Sequence, residues 1–195
     1  MSTHPATDRL SAAHKVLPAL AAIAAACAVL VMVLALTSCT TQTPPTSAPT
    51  PVAPAWKDAP DTYKLAIAAA VTDHGCGHTV TTGLVAAQIQ AESNFDASAV
   101  SAAGAQGPAQ ILRHTFAQYA PSVGAHDPFN PHDAAAVLVA VDCANAAQLS
   151  AHSIPATIEN LSAAWTSGVS SVIGGKVMVE VQNEAKAIAG AATAP

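Results

Sequence analysis

The hydrophobic pattern of the first 39 residues differs from that of the rest of the chain. Residues 16–36 are uncharged and rich in Ala, Leu and Val, and they follow the basic side chains of Arg9 and Lys15. This arrangement is typical of an export segment, which is not part of the folded protein. Because about 20 apolar residues also suffice to span a bilayer, a retained signal anchor is the alternative to cleavage.

The end of the apolar run favours cleavage at a lipid-modified cysteine. Leu36, Thr37 and Ser38 precede Cys39, and an aliphatic residue followed by two small residues and a Cys resembles the lipobox of bacterial lipoproteins. The resemblance implies lipidation of Cys39, which would become the new N-terminus. A lipid anchor and a signal anchor both predict a location at the extracytoplasmic face of the cell membrane.

Residues 40–57 are predicted to form a linker. Residues 40–55 carry no charge and consist mainly of Thr, Pro, Ala, Ser and Gln, a composition that cannot bury a core and favours extended, solvated backbone. Residues 58–190 have a length that suits one domain with a single core. Residues 191–195 are predicted to form a short tail.

Apolar residues at helical spacing predict five or six helices in the domain. The first is expected to be capped by Asp58 or Asp61, the second by Thr81 or Thr82, and the long fourth helix begins near Asn130. Residues 96–108 are small and punctuated by glycine, which predicts a loop or a short irregular hairpin. The predicted helices cover residues 61–74, 81–93, 110–119, 133–149, 154–165 and 172–189.

Two cysteines, Cys76 and Cys143, lie in the predicted domain, and the other two lie within the first 39 residues. Outside the cytoplasm such a pair favours a disulfide, for which the chain-entropy model gives on the order of 4 kcal/mol. The alternative is a zinc site, because His74, Cys76 and His78 alternate and could bind a metal together with Cys143. That spacing is not typical of common zinc sites, and we therefore expect a disulfide and no metal.

The charge balance argues against nucleic acid as a partner. The chain has a formal charge of −5, and because the first 39 residues hold two basic and one acidic side chains, the remainder carries −6. An acidic domain lacks the basic surface that contacts phosphates.

Glu92 is the most informative candidate for chemistry. It is the only Asp, Glu, Lys or Arg between Asp73 and Asp96. Val85, Ile89 and Glu92 are spaced by four and three residues, so a helix places the carboxyl on its apolar side. An apolar setting disfavours the charged form and raises the pKa of a carboxyl, which makes Glu92 a candidate proton donor near neutral pH.

Glu92 and Ser93 are followed by GAQGPAQIL at residues 104–112 and by AAWTSG at residues 163–168. These three ordered motifs resemble those of the soluble lytic transglycosylase (SLT) family, relatives of goose-type lysozyme. The resemblance covers about residues 61–188. It implies a mainly α, lysozyme-like α+β fold in which five to six helices surround a saccharide groove, with a short irregular loop or hairpin.

The resemblance also implies a reaction and roles for particular residues. Glu92 would be the single catalytic acid that protonates the bond between N-acetylmuramic acid and N-acetylglucosamine. It would then act as base on the muramyl 6-hydroxyl and close a 1,6-anhydro ring without water. The residues that would contact the substrate are Ser93, Gly107, Gln110, Trp165 and Thr166, while Gly104 and Gly107 would let backbone pass close to a sugar ring.

The third motif departs from the family pattern, which usually reads Ala-Tyr-Asn-Ala-Gly. Trp165 can still offer a flat face to a sugar, but Thr166 in place of Asn loses an amide that both donates and accepts. A later Tyr that commonly contacts the catalytic acid has no counterpart, and Glu184 aligns near its position. We expect that Glu184 either raises the pKa of Glu92 or alters the activity or specificity.

Two functions therefore remain open from the sequence. The first is a membrane-tethered peptidoglycan lytic transglycosylase that acts on glycan strands as a monomer without a cofactor. The second is a noncatalytic peptidoglycan-binding or scaffold module with a degenerate active site. Asp96 is interpreted as a turn carboxylate, Phe116 and Tyr119 as core residues, and His114, His126, His132 and His152 as surface residues.

Overall fold

The computed structural model describes residues 55–194 of the chain. The predicted export segment, Cys39 and most of the predicted linker lie outside the described residues, so those assignments stay predictions.

The described part contains eight helices and one short hairpin, which confirms the prediction of a mainly α fold. Two helices, α1 and α7, are only four and five residues long. The helices are α1 (Ala55–Asp58), α2 (Asp61–His74), α3 (Thr82–Ser93), α4 (Arg113–Val123), α5 (Pro131–Ala151), α6 (Ile158–Ser167), α7 (Val169–Ile173) and α8 (Val179–Thr193), and the strands are β1 (Ala105–Gln106) and β2 (Ile111–Leu112).

Helix α5 is the central helix of the core. Its apolar residues Val137, Leu138 and Leu149 are fully buried, and the helix contacts α2, α4 and α6. By length and composition alone it could cross a membrane, but 56% of its apolar window is buried inside the domain. As predicted, the helix begins after Asn130, whose side chain accepts hydrogen bonds from the backbone N–H groups of His132 and Asp133.

Small residues allow the helices to approach closely. Helix α8 packs against α3 and α6, and a Cβ added to Gly83 in α3 would overlap the carbonyl oxygen of Ala192 in α8. Buried alanines are also numerous in α2, α3 and α5. The core therefore consists of tightly spaced backbones with few large side chains.

The folded part extends beyond both predicted boundaries. Ala55 in α1 is fully buried although it lies within the predicted linker, and α8 continues to Thr193 within the predicted tail. Ala191, in the last turn of α8, is only 3% exposed.

The capping prediction was right for α3 and wrong for α2. The hydroxyl oxygen of Thr81 accepts a hydrogen bond from the backbone N–H of Leu84 at 3.2 Å. Pro60 is the N-cap of α2 and makes no side-chain cap bond, while Asp61 lies in the first turn. The negative charge of Asp61 there interacts favourably with the positive end of the helix dipole.

Three predicted helices begin or end elsewhere for local reasons. Gln110 has a φ of 48°, which a helix does not accept, so α4 begins at Arg113. Thr157 caps α6, whose first residue is Ile158 rather than residue 154. The predicted helix over residues 172–189 is divided in two after Ile173, where Gly175 has a φ of 63°.

The predicted disulfide is confirmed. Cys76 and Cys143 are joined with a Cα–Cα distance of 5.6 Å, and the bond ties the segment after α2 to the middle of α5. Because the two sulfur atoms are bonded to each other, the zinc alternative does not hold.

Candidate active site

Glu92 lies in the last turn of α3, beside a buried apolar surface. Val85 and Ile89, on the same side of the helix, are fully buried, as their spacing predicts. The helix ends at Asn94, whose left-handed backbone (φ 52°) turns the chain away and whose N–H donates to the carbonyl of Gln90. The Glu92 carboxyl is left half-buried at the end of the helix.

Trp165 in α6 holds one oxygen of this carboxyl. The indole Nε1–H donates a hydrogen bond to Oε1 of Glu92 with a donor to acceptor distance of 2.7 Å. The two residues are 73 positions apart in the chain, so the contact depends on the packing of the whole domain. With Oε1 occupied as an acceptor, Oε2 is the oxygen that remains to carry a proton.

Burial raises the pKa of Glu92, as the sequence predicted. The hydrogen bond from Trp165 acts in the opposite direction, because it favours the charged form. The negative charge of Glu184 on α8 raises the pKa further. Glu184 is itself exposed, so solvent screens its effect.

A groove of about 600 Å³ opens beside Glu92. One wall is formed by the hairpin and α4, and the other by the end of α6 and the start of α7. Helix α5, which contacts both α4 and α6, contributes Val141, Asn145 and Gln148. Within the described residues Glu92 is the one carboxyl that lines the groove.

Gln110 lines the groove and also organises the hairpin that forms its wall. Its Nε2 donates to the carbonyl oxygens of Gly107 at 2.8 Å and Ala99 at 3.2 Å. Strands β1 and β2 pair antiparallel, with Gln106 opposite Ile111. The predicted short hairpin is thus present.

Gly107 and Ser93, predicted to contact substrate, do not line the groove. A Cβ at Gly107, whose φ is 70°, would overlap the carbonyl oxygen of Pro128, so glycine is required there by the neighbouring loop. The Ser93 hydroxyl donates to the carbonyl oxygen of Pro108 at 2.7 Å and accepts from the N–H of Asp96 at 3.1 Å. Ser93 therefore positions the hairpin relative to α3, while Gly107 allows the hairpin to approach the loop that contains Pro128. A Cβ at Gly104 would meet open space.

The residues of the third motif lie on the opposite wall. Trp165 and Thr166 both line the groove. The hydroxyl of Thr166 donates to the carbonyl oxygen of Ser162 within α6 at 3.2 Å. The hydroxyl hydrogen of Thr166, which could otherwise donate to a sugar, is thus directed at its own helix.

Asp96 has the geometry of a turn carboxylate, as interpreted from the sequence. It is exposed, it is absent from the groove lining, and its Oδ1 accepts from Ser98 Oγ at 2.7 Å and from Ser98 N at 2.8 Å. These two hydrogen bonds lower the pKa of Asp96. The residue is therefore not placed to act beside Glu92.

Sequence reasoning missed several groove residues. Asn145, Gln148 and Gln118 carried no motif. His114 is exposed and Tyr119 packs against the core, as predicted, but both also line the groove, which the sequence did not indicate. The spacing of Val141, Asn145 and Gln148 by four and three is a helical face, but the Ala-rich sequence of α5 gives no sign of which face is open. Among residues 55–194 no group of three or more His, Cys, Asp or Glu side chains could hold a metal ion.

Comparison with known proteins supports the resemblance seen in the motifs. Residues 70–142 match the family model of the transglycosylase SLT domain, a segment that includes Glu92 and the hairpin. No curated protein matches the chain. The SLT resemblance is therefore confirmed over residues 70–142.

The fold is similar to that of a solved enzyme. An inactive mutant of the lytic transglycosylase Slt from Pseudomonas aeruginosa matches with a TM-score of 0.56 and 15% sequence identity. The match covers 68% of this chain and 24% of that enzyme, so this chain spans about a quarter of its length. At this identity the similarity establishes the lysozyme-like fold.

Proposed function

We propose that this protein is a lytic transglycosylase that cleaves peptidoglycan glycan strands with Glu92 as its single catalytic carboxyl. The observation that carries the proposal is the position of Glu92. Its half-buried carboxyl has a raised pKa and faces a groove that, within the described residues, holds no second carboxyl. Glycosidases that use water or a covalent intermediate need two such groups.

The reaction can be written with this one group. Protonated Oε2 of Glu92 donates its proton to the glycosidic oxygen, and the bond from that oxygen to the muramyl C1 breaks. The Glu92 carboxylate then takes the proton of the muramyl 6-hydroxyl, whose oxygen bonds to C1 and closes the 1,6-anhydro ring. Glu92 ends protonated again, and no water is consumed.

Trp165 supports both steps of this scheme. By holding Oε1 it fixes the direction of Oε2, and it stabilises the carboxylate that exists between the two proton transfers. In this proposal Trp165 takes over the contact with the acid that a later Tyr makes in the family.

The test is mass spectrometry of the muropeptides released by the wild type and by Glu92→Gln. We expect anhydromuramic ends from the wild type and no release by the variant. Asp96→Asn is the matched control, because it removes a nearby carboxyl that lies outside the groove, and it should release the same products as the wild type. Reducing muramic ends as the main product would instead indicate hydrolysis.

The second candidate is a noncatalytic peptidoglycan-binding module. It is favoured by Thr166, whose hydroxyl is bonded within α6 and cannot replace an amide. Glycan binding that survives Glu92→Gln, together with no turnover by the wild type, would support this candidate and contradict the enzyme.

We also propose that the domain acts at the extracytoplasmic face of the membrane as a monomer, tethered through Cys39 or a retained anchor. The linker would allow the domain to reach the cell wall from the membrane. Mass spectrometry of the wild-type protein from the membrane fraction tests this: a chain that begins at Cys39 and carries an added lipid would support the lipid anchor. An unlipidated chain that retains residues 16–36 would support the signal anchor.

A further inference from the structure

Asn145 is a buried polar side chain in the groove with no partner. The residue is 6% exposed and lines the groove. Its side chain makes no hydrogen bond within residues 55–194. The other buried polar residues in the described part, Gln88, Asp142 and Ser162, each have at least one hydrogen bond. Asn145 is therefore different from the polar groups that belong to the core.

Asn145 lies in the same groove as the candidate catalytic carboxyl. Its helix, α5, touches α3, which carries Glu92, and a hydrogen bond from Gln88 in α3 to Asp142 in α5 joins the two helices. Asn145 and Glu92 both line the groove.

The Asn145 amide has no protein partner among residues 55–194, and it is not one of the polar groups sealed inside the described part, which are Tyr63 Oη, Gln88 Oε1, Gln90 Oε1 and Asp142 Oδ2. Its donor and acceptor therefore remain available to a ligand in the groove. An apolar side chain of the same volume would pack at this position of an otherwise Ala- and Val-rich helix without needing any polar partner. A recognition role explains why an amide stands there.

We propose that the Asn145 amide recognises the acetamido group of an N-acetylhexosamine in the groove. The side-chain N–H can donate to the acetamido carbonyl oxygen. A sugar with a hydroxyl at the same carbon has no carbonyl oxygen there to accept it. Asn145 thereby supplies, from α5, an amide of the kind that Thr166 does not provide on α6.

This inference deepens the proposed function, and its test is a binding measurement that does not depend on turnover. The full-length chain carrying Glu92→Gln is titrated with the β-1,4 tetramer of N-acetylglucosamine and with the β-1,4 tetramer of glucose. We expect tighter binding of the acetylated tetramer. Adding Asn145→Leu should weaken that binding about tenfold, the effect of one or two lost hydrogen bonds, and remove the preference.

Asn183→Leu is the matched control, because Asn183 is exposed on α8 and lies outside the groove. It should bind both tetramers as the parent protein does. Asn145→Ser serves as a second variant that keeps a polar group but lacks the amide. It should also lose the preference for the acetylated tetramer.

Thermal unfolding separates recognition from a structural role. If Asn145 is kept for a ligand, Asn145→Leu should unfold at the same or a higher temperature than the parent while losing the acetamido preference. A lower unfolding temperature with the preference intact would overturn the inference, as would equal binding of both tetramers by the parent. Anhydro products from the wild type with an unchanged preference in Asn145→Leu would refute only the role of Asn145.

The opposite result is also distinguishable. If the wild type releases no products but the acetamido preference depends on Asn145, the enzymatic proposal fails and the role of Asn145 stands.

Discussion

Two carboxyls of this domain have a pKa raised by burial, yet their surroundings differ. Glu92 is half-buried and faces the groove, with Trp165 as its donor. Asp142 is fully buried inside α5, where burial raises its pKa to about 8. The comparison shows that a raised pKa alone does not define a catalytic acid, because only Glu92 can reach a substrate.

The surroundings of Asp142 are those of a neutral structural pair. Nε2 of Gln88 donates to Oδ1 of Asp142 at 3.3 Å, while Oδ2 of Asp142 and Oε1 of Gln88 have no partner among the described residues. A proton on Oδ2 would let it donate to Oε1 and would satisfy both atoms. The raised pKa of Asp142 is consistent with that protonated form near neutral pH.

The largest effect should come from converting each acid to its amide. Glu92→Gln should lower the rate of glycan release about 10³-fold or more, because it removes the proton that the reaction needs. Asp142→Asn should leave the rate within about twofold at pH 6, since a neutral amide replaces a neutral acid. Release of anhydromuropeptides measures both. A similar loss in the two variants would contradict the division of roles.

The pH dependence of stability should identify Asp142. Its folded pKa of about 8 lies above its ordinary value of 3.8, so the folded state keeps a proton that the unfolded state releases between these values. Stability should therefore fall as pH rises through this window, on the order of 2 kcal/mol between pH 5 and pH 7. Urea unfolding of the wild type and Asp142→Asn measures this, and the slope should be smaller in the variant. Equal slopes would exclude Asp142 as the source.

Trp165→Phe should change the pH profile of the proposed reaction. That reaction needs protonated Glu92, so activity should fall as pH rises through the pKa of this group. Loss of the indole donor removes an interaction that lowers this pKa, so the alkaline limb should move to higher pH. The rate at low pH should fall about tenfold because Oε2 is less well directed. An unchanged limb would indicate that Trp165 acts only through packing.

Glu184→Gln should give the smallest effect, in the opposite direction. The charge of Glu184 raises the pKa of Glu92, so its removal should move the alkaline limb to lower pH. Because Glu184 is exposed, high salt should remove the difference between the variant and the wild type. A difference that persists in 1 M salt would point to a contact other than charge.

Much of this molecule follows from local sequence signals. The Thr81 cap, the Asn130 start of α5 and the apolar side of α3 each depend on residues within one or two turns, and all three are present. The disulfide was predicted from the number of cysteines and from the expected location outside the cytoplasm, and it is present. Two of the three misplaced helix ends lie beside a residue in a left-handed conformation, Gln110 or Gly175, and the third is set by the Thr157 cap.

The contacts that build the groove could not be predicted in the same way. The hydrogen bond from Trp165 to Glu92 joins residues on α6 and α3. Asn145 reaches the groove because α4 and α6 leave one face of α5 uncovered. The need for glycine at Gly107 comes from Pro128, which belongs to another loop. These contacts arise from long-range packing, which no local pattern encodes.

Because Trp165 donates a hydrogen bond to Glu92, the strength of this contact between α6 and α3 depends on whether Glu92 carries a proton. A carboxylate attracts an N–H donor more strongly than a neutral carboxyl does. On the other side Ser93 and Gln110 anchor the hairpin through contacts that do not titrate. The wall formed by the hairpin is thus insensitive to each proton transfer. The attraction between Trp165 on the opposite wall and Glu92 strengthens each time Glu92 becomes charged.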